Sequence, residues 1–292
     1  MRIRWIGPAL VIDAPAKLNL HLSVLGRRPD GYHELETVMA SIGLYDTLSF
    51  EPQGGPVELI CAGASGLAAD ESNLVHRAAK LLCSEHRVDR GARIRLTKRI
   101  PMQAGLGGGS SNAAAALVGL NRLWDLGLQS EELHRLAAQL GSDVNFFIDS
   151  AALALCRGRG ELVEQRPLKG PMWFVIAKPP VGLSTAAVFK KLELGACGRV
   201  ASSPLLDACE RGDSGRIGAL VANDLERPSR ELSTELGRLL ERMNSVALYG
   251  WRMTGSGSAC YGIAASRPHA DRAARRLRRQ RVGEVFVVRT AV

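Results

Sequence analysis

Residues 101–117 read PMQAGLGGGSSNAAAAL: four glycines, Gly105, Gly107, Gly108 and Gly109, fall within five residues, with an alanine run close behind. The preceding ARIRLTKRIP reads as a strand, and SNAAAALVGLNRLWDLG as a helix apolar nearly all round at its start, hence buried. Strand, glycine turn, helix is a general anion site. The first amides of a helix lack internal partners and sit at the positive end of its dipole. Glycines let a phosphate approach the backbone with no Cβ in the way. One dipole contributes only about 0.3–1 kcal/mol, so several amides must act together on a triphosphate. Ser110, Ser111 and Asn112 add side-chain donors. No Gly-Lys-Ser/Thr ends the loop, so it is not a Walker A, and Ser110 stands where a dinucleotide fingerprint needs its third glycine. The loop predicts phosphate binding and leaves the chemistry open.

The elements around the loop predict an α+β chain. The first 60 residues read mostly as strands, with the Pro29-Asp30-Gly31 turn among them. SNLVHRAAKLLCSEH carries apolar residues at 74, 75, 78, 79, 81 and 82, a helical stripe. SEELHRLAAQLG predicts a helix capped by Ser130 and stopped by Gly141, and SDVNFFID a short turn. A seam near residues 164–171 divides the 292 residues into domains 1–165 and 166–292. After it come a strand, several helices, two strands joined by a GSGS loop, a basic helix and a last strand. That order suggests a ferredoxin-like sandwich.

Composition narrows the function classes. There is no run of about 18 uncharged apolar residues, so no membrane span is expected. Six scattered cysteines without a C-x-x-C pair argue for buried thiols in a reducing cytoplasm rather than a disulfide framework or a zinc site. The net charge of +9 suits phosphorylated metabolites and nucleic acid alike. The basic run RPHADRAARRLRRQR reads as the solvated face of a late helix, and it lacks the aromatics that would stack on RNA bases. Nucleic acid is therefore not expected as a partner.

PMQAGLGGGSSNAA resembles the phosphate loop of the GHMP kinases, named for galactokinase and the homoserine, mevalonate and phosphomevalonate kinases. The opening APAKLNLHLSVLGRRPDGYHELETVM, with LGSDVNFF, GRGE, NDLE and MTGSGSACYG in the expected order, is similar to the branch whose acceptor is a cytidine diphosphate ester of methylerythritol, in the non-mevalonate isoprenoid pathway. The match runs from about residue 14 to residue 262. It implies a two-domain GHMP kinase fold, with an N-terminal ribosomal-protein-S5-domain-2-like α/β domain, a C-terminal ferredoxin-like domain and the active site in the cleft between them. It also implies a cytoplasmic enzyme, monomeric or weakly dimeric, with ATP and Mg²⁺ as cofactors.

The resemblance makes Asp143 the catalytic base and Lys17 its companion. Taken alone, Asp143 reads as a turn or helix cap and Lys17 as a strand-end charge. ATP would meet Pro101, Gly105, Leu106, Gly107, Gly108, Gly109, Ser110, Ser111 and Asn112, with Lys98 and Asn73 near the nucleotide. Tyr32 and His33 would offer cytosine a stacking face and edge hydrogen bonds, and Phe189 the other wall. Asn19 and Thr185 would lie by the acceptor, and Thr254, Gly255 and Ser256 would form an anion nest for its diphosphate. No dedicated metal cage is evident; Mg²⁺ would be held through the ATP phosphates and Ser111. Asn145 stands where the family usually has proline. The alternatives are another GHMP kinase such as homoserine kinase, a non-catalytic nucleotide-binding regulator, and an RNA-binding protein.

Overall fold

The computed structural model describes residues 1–64, 66–196 and 200–291; Cys197, one of the six cysteines, lies outside them. In chain order the elements are β1 (Arg2–Ile6), β2 (Ala9–Arg27), β3 (His33–Gln53), β4 (Glu58–Ala62), α1 (Leu74–His86), β5 (Gly91–Thr97), α2 (Gly108–Leu123), α3 (Ser130–Leu140) and α4 (Val144–Ile148). They continue with β6 (Leu153–Gly158), β7 (Leu162–Gln165), β8 (Trp173–Lys178), α5 (Thr185–Lys191), α6 (Ser203–Arg211), α7 (Ser214–Leu220) and β9 (Ala222–Asn223). The last are α8 (Glu226–Leu232), α9 (Thr234–Asn244), β10 (Trp251–Met253), β11 (Cys260–Ala264), α10 (Arg267–Arg279) and β12 (Glu284–Arg289).

Two compact units arise, and they interleave along the chain. One comprises Met1–Ala16, Leu44–Ile100 and Gly107–Ser150; the other comprises Lys17–Gly43, Pro101–Leu106 and Ala151–Val292. In the first unit, β1 pairs antiparallel with residues 9–13 of β2. β5 pairs antiparallel with residues 47–53 of β3 and parallel with β4. Helices α1, α2, α3 and α4 pack on one another. α2 lies close on its sheet because it is small there: a Cβ on Gly119 would stand 2.6 Å from the Phe50 ring.

In the second unit, residues 35–40 of β3 pair antiparallel with β6, and β6 with β7. β8, β10, β11 and β12 form an antiparallel sheet in the order β10-β11-β8-β12. With α10 on that sheet this is the ferredoxin-like arrangement predicted for the second half. α10 buries Ala270, Ala273, Ala274 and Leu277, spaced for one face, and turns Arg272, Arg275, Arg276 and Arg279 outward. Among the described residues no helix is long and apolar enough to cross a membrane, and Cys156, Cys209 and Cys260 are buried.

Two local expectations are corrected. Ser130 is not the cap of α3. Gln129 occupies that position with no side-chain bond, while the Ser130 hydroxyl donates to Asp149 Oδ1 at 2.8 Å. Residues 144–148, expected as a turn, form the short helix α4. With only five residues it is too short to show helical periodicity in sequence.

Candidate active site

In the first unit the site begins where β5 ends. Asp46 on β3 is fully buried, and its Oδ1 accepts the amides of Arg99 at 2.7 Å and Ile100 at 2.9 Å. Its Oδ2 accepts Asn112 Nδ2 at 2.9 Å and pairs with the Lys98 ammonium, which also donates to Asn112 Oδ1 at 3.2 Å. One carboxylate thus ties the strand that leads into the glycine loop to the first turn of α2. Burial pulls the Lys98 ammonium below its ordinary range, and Asp46 opposes that pull. Gly107, at φ +69°, caps α2 in the left-handed region. A Cβ on Gly108 would come within 2.6 Å of Lys98 Nζ, so backbone and ammonium lie close beneath the cradle. Ser111 is fully buried, and its hydroxyl has no hydrogen-bond partner. Such an orphaned group in the first turn of a helix suits a phosphate oxygen or a phosphate-held metal. Among the described residues no cluster of His, Cys, Asp or Glu could hold a metal by itself.

Asp143 occupies the N-cap of α4, the helix that packs against α2, and its side chain makes no capping bond. Asn145, in the first turn of α4, donates from Nδ2 to the His134 carbonyl and meets His134 Nδ1, both at 3.1 Å. His134 Nε2 in turn lies 2.8 Å from Asp149 Oδ2. Proline fits the first turn of a helix because no intrahelical donor is needed there. Here a side-chain tether to α3 holds the same turn. Asn73 caps α1, accepting the Val75 amide at 2.9 Å and donating to the Ala68 carbonyl at 2.7 Å.

In the second unit, Lys17 and Asn19 share a face of β2 and are both buried. The Lys17 ammonium donates to Asn19 Oδ1, and the Lys17 amide donates to Leu106 O at 3.0 Å. Asn19 Nδ2 donates to Thr37 Oγ1 at 2.9 Å, and the Asn19 amide to Thr254 Oγ1 at 3.0 Å. The loop between β10 and β11 is sewn to residues 103–105. Ser258 N donates to Gln103 O at 3.4 Å, Ala259 N to Ala104 O at 3.1 Å, and Thr254 Oγ1 to Gly105 O at 3.3 Å. Thr185 Oγ1 and Ser256 Oγ lie 2.8 Å apart. Lys17, Asn19, Gly105, Leu106, Thr254 and Gly255 therefore form one cluster, with Thr185 and Ser256 beside it.

The aromatic group is arranged differently from two facing walls. His33 and Phe189 stack directly on each other, with ring centroids 4.9 Å apart and an interplanar angle of 26°. Tyr32 is half exposed and carries the Arg159 guanidinium 4.8 Å from its ring centroid. Burial and nearby Arg27 hold the His33 imidazole below its usual range, so it is neutral near pH 7.

Residues 73–155 match the GHMP kinases N terminal domain and residues 205–282 the GHMP kinases C terminal domain. A curated relative from Pelotomaculum thermopropionicum, 4-diphosphocytidyl-2-C-methyl-D-erythritol kinase, is 43% identical over 279 residues, covering 95% of this chain and 96% of its own. The chain belongs to the GHMP kinase family.

The protein of the same name from Shouchella clausii is 42% identical over 263 residues, 89% of this chain and 88% of its own. A crystal structure of 4-(cytidine 5'-diphospho)-2C-methyl-D-erythritol kinase superposes with a TM-score of 0.82 at 37% identity, covering 97% of this chain and all of that one. L. major mevalonate kinase in complex with R-mevalonate, at 19% identity and a TM-score of 0.74, shares the fold. In this GHMP kinase, sequence reasoning missed Asp46 and Asn223. Asp46, in an alternating strand beside Tyr45, reads as an ordinary edge charge, and nothing local announces its four donors. Asn223 belongs to the NDLE motif that carries the resemblance, but its contacts lie about thirty residues further along the chain.

Proposed function

We propose that the chain transfers the γ-phosphoryl group of ATP to the 2-hydroxyl of 4-diphosphocytidyl-2-C-methyl-D-erythritol, a step of the non-mevalonate route to isoprenoid precursors, in the cytoplasm. The observation that carries this reading is a glycine cradle at a helix N-terminus, in a chain whose near-full-length relatives bear that one enzyme name. The amides of residues 105–112, with Ser110 and Ser111, would take the triphosphate, and Lys98 and Asn73 would lie toward the nucleotide. Mg²⁺ would be held by the phosphates and the Ser111 hydroxyl, where it neutralises phosphate charge.

Asp143 would accept the acceptor's hydroxyl proton. Lys17 would orient it and stabilise charge developing on the acceptor oxygen. A carboxylate is a weak base, and an alcohol is a far weaker acid than a carboxylic acid. The proton therefore leaves late, as the phosphoryl group arrives. Cytosine would stack on the His33–Phe189 pair, with Tyr32 at its edge. Asn19 and Thr185 would bind the polyol, and Thr254, Gly255 and Ser256 the diphosphate.

Coupled ADP release with ATP and a panel of acceptors tests the reading. Turnover is expected with cytidylated methylerythritol and not with homoserine or mevalonate. Turnover with homoserine alone would move the assignment to the homoserine kinase branch.

A further inference from the structure

The NDLE motif, Asn223 to Glu226, has no part in the chemistry above, yet its Asn223 and Glu226 side chains reach the loop between β10 and β11. Asn223 Oδ1 accepts the Leu225 amide at 2.9 Å, which fixes the orientation of the carboxamide. Both hydrogens of Nδ2 are then spent on the carbonyls of Met253 at 2.8 Å and Gly255 at 2.9 Å. These carbonyls flank Thr254, whose hydroxyl takes the Asn19 amide. Glu226 Oε2 accepts the Met253 amide at 3.0 Å. Asp224 grips β2 itself: its amide donates to Leu22 O at 2.9 Å, and its Oδ2 accepts the Val24 amide at 2.8 Å. Asn223, Asp224 and Glu226 therefore hold both the strand bearing Lys17 and Asn19 and the loop bearing Thr254 to Ser256.

The geometry points to Asn223 as a positioning residue for the acceptor. Its carboxamide draws two carbonyl oxygens to itself and so keeps them from facing an incoming diphosphate, which they would repel. It also fixes Gly255, at φ +55°, in the left-handed turn that a loop of this kind requires. Only a group with two donors and one acceptor in this fork satisfies all three partners, and aspartate, of the same shape, offers none of the donors. The inference rests on the reading that residues 254–256 bind the acceptor's diphosphate.

Asn223→Asp and Asn223→Ala separate this role from a general structural one. For Asn223→Asp the KM for cytidylated methylerythritol should rise at least about tenfold, equivalent to about 1.4 kcal/mol. The KM for ATP should stay within about twofold of wild type, on the same scale. Asn223→Ala, which loses the donors without adding repulsion, should shift the same constant less, and it decides the matter if the aspartate variant does not fold. An equal rise in both KM values, or an acceptor KM that does not move, overturns the inference. Amide hydrogen exchange on Asn223→Ala gives an answer that needs no acceptor. Faster exchange confined to residues 254–258 supports the inference, and unchanged exchange there refutes it. If wild type uses another acceptor, the reading above fails while the exchange result still decides the role of Asn223.

Discussion

Replacing Asp46 by asparagine keeps its shape and removes its charge. Oδ1 can go on accepting the amides of Arg99 and Ile100. The new amide group then points two hydrogens at the Lys98 ammonium and Asn112 Nδ2, which are donors themselves. Lys98 is left buried, with its side chain 5% exposed and its counter-charge gone. Removing one partner of a buried pair costs about 3–5 kcal/mol. At roughly 2–4 °C per kcal/mol for large domains, the melting temperature should fall by about 6–20 °C. Burial already holds the Lys98 ammonium below its ordinary value of 10.5, and losing Asp46 lowers it further. Between that lowered value and 10.5 the unfolded chain binds the extra proton, so stability rises with pH across the window. The deficit of Asp46→Asn should therefore shrink as the buffer becomes alkaline. Urea melts by circular dichroism at several pH values measure this, with the double variant Asp46→Asn, Lys98→Met as control. The double variant should recover most of the loss, because it keeps the acceptor for the Arg99 and Ile100 amides and removes the buried charge that lost its partner. A deficit below about 1 kcal/mol, or a double variant no more stable than the single one, would refute the reasoning.

Gly105 and Gly108 should respond unequally to alanine. At Gly105, with φ +72°, a Cβ would collide with the Thr254 carbonyl, so turnover should fall at least about a hundredfold, or about 2.7 kcal/mol. At Gly108, where φ is not in the left-handed region, a Cβ would meet the side chains of Lys98 and Ile100 rather than backbone, so initial rates should fall less. His33→Ala should raise the acceptor KM by about 5- to 150-fold, the equivalent of 1–3 kcal/mol of base stacking, and leave the ATP KM unchanged in steady-state kinetics. Chelating Mg²⁺ should stop turnover without lowering the melting temperature, since no protein cluster among the described residues holds the ion.

Much of the fold is written in local periodicity. The stripe at 74, 75, 78, 79, 81 and 82 predicts α1, which spans Leu74–His86. The order of strands and helices after residue 171 predicts the four-stranded sheet. The glycine loop was legible because glycine adopts at least cost the left-handed backbone found at Gly105 and Gly107. What sequence does not disclose is pairing across distance. Asp46 meets its donors 52 to 66 residues away, and Asn223 meets its carbonyls 30 and 32 residues away. Ser130 looks like a cap by type, but a carboxylate 19 residues on takes its hydroxyl instead. Tyr32 and His33 read as one side of a base site and Phe189 as the other, because sequence reports ring chemistry and not the stacking of His33 on Phe189.

The central claim is that the loop amides hold the triphosphate while a carboxylate from the 143 region takes the proton. Single-turnover kinetics on Asp143→Asn, alongside ATP titration of the same protein, tests it most directly. ATP affinity should match wild type while the transfer step slows by about 10²–10⁴-fold. Transfer at more than about a tenth of the wild-type rate, a loss of under 1.4 kcal/mol, would contradict the assignment.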